Sequence, residues 1–151
     1  MEEKLIKKTL EFAKEAIKIG ETPIACLITD SDYNTISINH NLTNKNKDPL
    51  SHAEILCLQS IDNKLLRNKK FTKKLKVFIT CEPCLMCLDI LMKLECEIFY
   101  GEDNYRFGGL TVFNVKYEKI KKIKCGQISL LKEFYKMENL NAPICKRKIK
   151  K

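Results

Sequence analysis

Near the start of the chain, apolar side chains fall at Leu5, Ile6, Leu10, Phe12, Ala13, Ala16, Ile17 and Ile19. That spacing forms one broad stripe at helical period, so it predicts an amphipathic helix over 2–19 with Gly20 as its stop. The period then changes. "PIACLITD" (23–30) is a nearly continuous apolar run and predicts a buried strand. "SDYN" (31–34) predicts a turn, and "TISIN" (35–39) alternates as the second strand of a hairpin. A polar loop is expected over 41–49, then a helix from near Ser51 to about Leu65. "NKKFTKK" (68–74) reads as a basic connector and "LKVFIT" (75–80) as a third strand. Pro83 opens a helix through 84–94, since proline is favoured in a first helical turn. "EIFYG" (97–101) predicts a fourth strand and 102–109 a loop. A fifth strand is expected near 121–125 and a last helix over 128–140. Helices and strands interleave with no repeat and no linker, which predicts an α/β domain with helices on both faces of one sheet.

Composition narrows the class. A chain of 151 residues with 44% hydrophobic and 31% charged residues is one domain long and of globular composition. The N-terminal stretch has no signal-peptide pattern, and no apolar run approaches the roughly 20 residues of a membrane span. The expectation is an intracellular protein, cytoplasmic or nuclear, with no membrane role. Eight cysteines without a secretion signal point to metal binding or burial rather than a disulfide framework. The net charge of +9 suits an anionic partner or a solvated lysine face. Five of the last six residues, Lys146, Arg147, Lys148, Lys150 and Lys151, are basic.

The chemistry concentrates in two places. One of only two histidines, His52, stands two residues before Glu54 in "DPLSHAEILC" (48–57). Cys84 and Cys87 are three apart at the head of a predicted helix, so both thiols share a face. Two helix heads meeting over strand ends would gather His52, Glu54, Cys84 and Cys87 into one cavity. Three N and S ligands suit Zn2+ with a fourth position left for water, and a neighbouring carboxylate that is not a ligand can carry protons. Two plainer readings stand beside this one. Ser51 and Glu54 also fit a capping box, with Ser51 as N-cap. Cys81, Cys84 and Cys87 also follow an iron–sulfur spacing, although position 91, where a fourth cysteine would fall, is Leu.

H-x-E (52–54) followed by P-C-x-x-C (83–87) resembles the signature of the zinc-dependent nucleic-acid and nucleoside deaminases. "GETPIAC" (20–26), "HN" (40–41), "DPLSHAEI" (48–55), "FYGEDNYRFGG" (99–109) and "LLKEFYKMENLNAP" (130–143) resemble the tRNA adenosine deaminases. The last two look most like the catalytic subunit of the eukaryotic enzyme that makes inosine at the tRNA wobble position. The resemblance implies a three-layer α/β/α cytidine-deaminase-like fold around a mixed sheet of about five strands. It implies a zinc-dependent deaminase domain over 1–145 and a basic tail over 146–151. His52, Cys84 and Cys87 would hold zinc, and Glu54 would move protons while water replaces the C6 amine of adenine and ammonia leaves. The backbone N–H of Cys84 would stabilise charge on oxygen. Asn41, otherwise a turn residue, would read the purine edge, with His40 structural.

By the same resemblance, Pro23 and Ile24 would wall the base pocket, and Asn104 and Arg106 would lie near flanking nucleotides. Lys146, Arg147, Lys148, Lys150 and Lys151 would meet tRNA phosphates. The implied assembly is a dimer, either with a related non-catalytic deaminase-like subunit or with a second copy. Departures are Leu110, Thr111 and Val112, where the family has a small residue and Gly-Ser, and Leu50-Ser51 in place of Thr-Ala. Competing expectations are a zinc deaminase of free guanine, cytosine or cytidine and a non-catalytic zinc subunit that recruits RNA.

Overall fold

All five residues of Ala25–Thr29 (β1) are buried, and this strand lies inside the sheet rather than at its edge. A computed structural model describes residues 1–124 and 130–136. Helix α1 (Glu2–Lys18) precedes β1, and Gly20 ends its turn at φ 74°, a conformation glycine adopts without strain. The turn after β1 is built by Asp30, whose carboxylate accepts the N–H groups of Asp32 and Asn34. It leads into β2 (Thr35–His40), paired antiparallel with β1. The rest of the chain runs through α2 (Thr43–Asn46), α3 (Ala53–Gln59), α4 (Asn63–Leu66), α5 (Lys69–Thr72), β3 (Lys76–Cys81), α6 (Leu85–Leu94), β4 (Glu97–Glu102), β5 (Ile120–Lys122) and α7 (Leu130–Lys136).

The sheet order is β2-β1-β3-β4-β5, antiparallel at β1/β3 and parallel at β3/β4 and β4/β5. Alternation along the strands feeds two cores. Cys26, Ile28, Val77, Ile79 and Ile98 face Ala53, Cys57 and Leu58 of α3 and Leu88 and Leu91 of α6. Ala25, Leu27, Phe78 and Phe99 face Leu5, Ile6, Leu10 and Ala13 of α1 and Leu130 of α7. Phe78 and Phe99, neighbours across β3/β4, stack with centroids 4.8 Å apart. The architecture is the expected three-layer α/β/α sandwich around a mixed five-stranded sheet.

Several local expectations needed correction. The helix expected from Ser51 to Leu65 is two helices, because buried Ile61 turns inward and the Asp62 carboxylate caps a fresh start at Lys64 N–H. The polar loop at 41–49 contains α2, and the basic connector contains α5, capped by Asn68 through Lys70 N–H. The fifth strand lies at Ile120–Lys122, and within the last expected helix Leu130–Lys136 is helical. The remainder of 128–140 and the basic tail at 146–151 lie outside the described residues. Among the described residues no helix is long and apolar enough to cross a membrane.

Candidate active site

The head of α3 is built by Asp48. Its carboxylate accepts Leu50 N–H at 2.9 Å and the Ser51 hydroxyl at 2.9 Å, which bends the chain so that His52, not Ser51, becomes the N-cap. The capping box is thereby excluded: Ser51 serves Asp48, no side chain caps α3, and Glu54 sits in the first turn without reaching back. The head of α6 follows β3 through Glu82 and Pro83. Here Cys84 is the N-cap and Cys87 lies a turn further in, so only Cys87 is inside the helix proper.

These two heads meet on one side of the sheet. His52 Nδ1 lies 3.6 Å from Cys84 Sγ and 3.6 Å from Cys87 Sγ, and the three ligand atoms all lie within 4.8 Å of one another. Bond lengths of about 2.3 Å to sulfur and about 2.1 Å to nitrogen, at a tetrahedral angle, place N and S about 3.6 Å apart. The imidazole–dithiol set therefore fits a zinc-sized tetrahedral ion in both donor type and spacing. Cys81 is absent from the group among the described residues; it is buried at the end of β3, where burial pushes its thiol up. The iron–sulfur spacing has no structural counterpart here.

Charge supports the same reading. A hydrogen bond from Cys87 holds Cys84 down at about 4, and the same bond with burial pushes Cys87 up. The contact that favours one thiolate disfavours the other; a divalent cation is what makes two adjacent thiolates stable. His52 is raised, chiefly by its contact with Cys84. Glu54 is buried, burial raises its carboxyl above the usual range, and its Oε2 has no hydrogen-bond partner. An unpartnered carboxylate oxygen without solvent is costly, so it marks a position that a ligand or water completes.

A cavity of ≈180 Å³ opens beside this group. His52, Glu54 and Cys84 line it, as do Asn41, Ile24 and Asn104. Asn41 is buried, and its amide N–H groups go to Glu21 Oε2 and Thr43 Oγ1, each at 2.9 Å. What it offers a ligand is therefore Oδ1, an acceptor. Glu21, fully buried, also accepts Asn44 N–H at 3.2 Å and Lys45 N–H at 2.6 Å, so it holds the start of α2 and Asn41 together. Pro23 is buried and does not line the cavity; its carbonyl accepts from Thr80 Oγ1 at 3.5 Å. Arg106 lines a neighbouring groove of ≈380 Å³ that shares Ile24, Asn104 and Phe107 with the cavity. Sequence reasoning missed Thr22, Thr43, Glu82 and Phe107 in the lining. Glu82 adjoins the P-C-x-x-C run and Phe107 the glycine pair, but neither type or position signalled a role.

The loop over 104–111 closes one side. Cys84 and Gly108 form an antiparallel bridge, with Gly109 N–H bonded to Pro83 O at 3.0 Å and Leu85 N–H to Phe107 O at 3.3 Å. Neither bond uses the Cys84 N–H. A Cβ on Gly108 would stand 2.4 Å from Glu82 Oε1 and 2.5 Å from Asn104 O. Gly108→Ala is expected to cost about 1–3 kcal/mol, a melting-temperature loss of several degrees, because a backbone oxygen cannot yield as a flexible side chain does. Calorimetry against wild type checks this, and an unchanged melting temperature would show that the loop is not packed this tightly.

Residues 1–101 match the family model of the cytidine and deoxycytidylate deaminase zinc-binding region. The chain is 35% identical over 161 residues to "tRNA-specific adenosine deaminase 2" of Xenopus laevis, covering 95% of this chain and 90% of that one. It is 34% identical over 115 residues to the tRNA-specific adenosine deaminase of Aquifex aeolicus, covering 75% and 74%. Its fold superposes, at TM-score 0.65 and 21% identity over 76% of this chain and 93% of the other, on a structure from work on A-to-I editing by tRNA:A34 deaminases at the wobble position.

Proposed function

We propose, from the premise that this chain belongs to the cytidine and deoxycytidylate deaminase family, that it hydrolyses the wobble adenosine of tRNA anticodons to inosine and releases ammonia. The observation that carries the reading is a single cavity holding three convergent features. They are His52 Nδ1 at 3.6 Å from both thiols, a buried Glu54 with an unpartnered oxygen, and the Asn41 amide. The strong sequence likeness to tRNA-specific adenosine deaminases supplies the substrate.

His52, Cys84 and Cys87 would hold Zn2+. Bound there, zinc supplies a Lewis acid that makes water acidic enough to yield hydroxide near neutral pH. Glu54 takes one proton from the water and delivers it to N1 of adenine as the oxygen adds to C6; it then takes the proton of the new C6 hydroxyl and delivers it to the amine, so that the C6–N bond breaks and ammonia leaves. Burial raises its carboxyl, so it is a better proton donor at neutral pH than a solvated carboxylate. The Cys84 N–H, unused in the bridge to Gly108, faces the charge that develops on oxygen. Asn41 Oδ1 accepts from a donor on the purine edge, Ile24 with Pro23 behind it walls the base, and Asn104 and Arg106 lie toward the flanking nucleotides. The adenine of an anticodon loop is already unpaired, so extruding it into the cavity costs little.

The deaminase domain spans 1–145, and the basic residues of 146–151 meet tRNA phosphates in the cytoplasm or nucleus. Exposed Leu50, Leu85 and Phe113 beside the site support a dimer, with a related non-catalytic subunit or a second copy. Removing 146–151 is expected to raise KM for tRNA about tenfold and to flatten its salt dependence, each lost phosphate contact taking about 0.7–0.9 from the logarithmic slope. Steady-state kinetics over a salt series measures both; a tail-less chain with an unchanged slope would remove the tail from the interface. The direct discriminator is ammonia release from tRNA compared with free adenosine, cytidine and guanine. Release from tRNA alone is expected, and turnover of a free base or nucleoside without tRNA turnover would refute the proposed substrate.

A further inference from the structure

We infer that Glu82 is a positioning residue: its buried carboxylate latches the 104–111 loop onto the head of α6 and so fixes the pocket wall that carries Asn104 and Phe107. The inference rests on the proposed function for what the wall holds, and on the hydrogen bonds of Glu82 for the latch. Glu82 is 1% exposed. Its Oε1 accepts Leu110 N–H at 2.7 Å and Thr111 N–H at 2.8 Å. Its Oε2 accepts Asn104 N–H at 3.2 Å and the Thr111 hydroxyl at 2.5 Å. All four partners are donors, which is the set an acceptor-only carboxylate can satisfy in full.

Each end of the loop is thus tied to one side chain. Asn104 continues the tie in both directions: its Nδ2 donates to Glu82 O at 3.4 Å, and its Oδ1 accepts Arg106 and Phe107 N–H at 3.2 and 3.0 Å. That turn carries Asn104 and Phe107 to the cavity that Glu82 itself helps line. The glycine at 108 leaves room for the carboxylate, since a Cβ there would overlap Oε1. Thr111, one of the positions where the chain departs from its family, supplies two of the four donors. A binding wall on a loop stays in place only when such a shell locks it.

Glu82→Gln tests the latch because an amide accepts on one side only. Gln can keep the Leu110 and Thr111 N–H bonds but sets its NH2 against Asn104 N–H. Thr111→Val removes the hydroxyl at constant shape, and Thr111→Ser restores it; this pair remains informative if Glu82→Gln folds poorly. Hydrogen exchange at Asn104, Leu110 and Thr111 is read alongside zinc content, KM and kcat on an anticodon stem-loop with a wobble adenosine. Exchange at Asn104 is expected to accelerate about tenfold in Glu82→Gln. KM should rise about tenfold, kcat should change far less and zinc should stay bound; Thr111→Val should move the same way and Thr111→Ser should match wild type. Unchanged exchange at the three amides overturns the latch, and so does a fall in kcat at constant KM. If the wild-type chain leaves the stem-loop untouched, the proposed substrate fails while the exchange data still decide the latch.

Discussion

Glu54→Gln is expected to reduce inosine formation by about a thousandfold or more while leaving zinc and the melting temperature near wild type. A positioned proton carrier contributes about 10²–10⁴-fold to a rate, and here one group serves both the attack and the departure of ammonia. Gln keeps the shape of Glu54 and relieves the cost of burying a carboxylate, so the fold has no reason to weaken. Glu54 lines the cavity and its Oε2 has no hydrogen-bond partner, which separates this residue from Glu21 and Glu82, whose carboxylates are held by donors from α2 and from the 104–111 loop. Activity of Glu54→Gln within tenfold of wild type would remove Glu54 from the chemistry.

Cys87→Ser is expected to lose zinc altogether, and deamination with it. Cys87 is fully buried, lies 3.6 Å from His52 Nδ1 and belongs to the His52, Cys84 and Cys87 group. A hydroxyl is a far poorer zinc ligand than a thiolate, so His52 and Cys84 alone no longer hold the ion. Because the metal binds the folded chain, its loss also lowers stability. At a thousand times Kd the linkage is worth about 4 kcal/mol, or about 8–16 °C for a chain of this size. Metal analysis and calorimetry of Cys87→Ser, and of wild type after chelation, should agree in direction. Cys81→Ser is the control and should keep its metal, since Cys81 is not in the His52, Cys84 and Cys87 group. Stoichiometric zinc in Cys87→Ser would contradict the ligand set.

How far the fold could be read from the chain depended on what fixes each element. Helix α1, strands β1, β3 and β4 and helix α6 follow hydrophobic pattern, because each helix lays one face on a core and each strand is buried against both cores. Helices α2 and α5 were invisible to periodicity, and α4 was merged with α3 into one expected helix. Helices α2, α4 and α5 are single turns set by side chains that satisfy their free N–H groups, and for α2 the donor of that help, Glu21, lies 24 residues from Lys45. The same distance hid Glu82, whose partners at Leu110 and Thr111 are 28 and 29 residues away. His52, Glu54, Cys84 and Cys87 were legible because metal chemistry restricts residue type and local spacing at once. The capping-box reading of Ser51 and Glu54 was reasonable from four residues, but Asp48 claims the Ser51 hydroxyl and moves the cap to His52. Pro23 and Arg106 were one position or one groove away from the cavity, which is the precision that loop backbone withholds from sequence.

The measurement that tests the central claim most directly is the fate of the wobble nucleotide itself. Zinc-loaded protein, with any co-purifying subunit, is incubated with a tRNA carrying adenosine at the wobble position in oxygen-18 water, and the anticodon fragment is weighed. Inosine at that nucleotide, carrying one oxygen-18 atom, is the predicted result, and it should be missing with Glu54→Gln. Adenosine retained there by the zinc-loaded protein, whether or not a second subunit is present, would contradict the assignment.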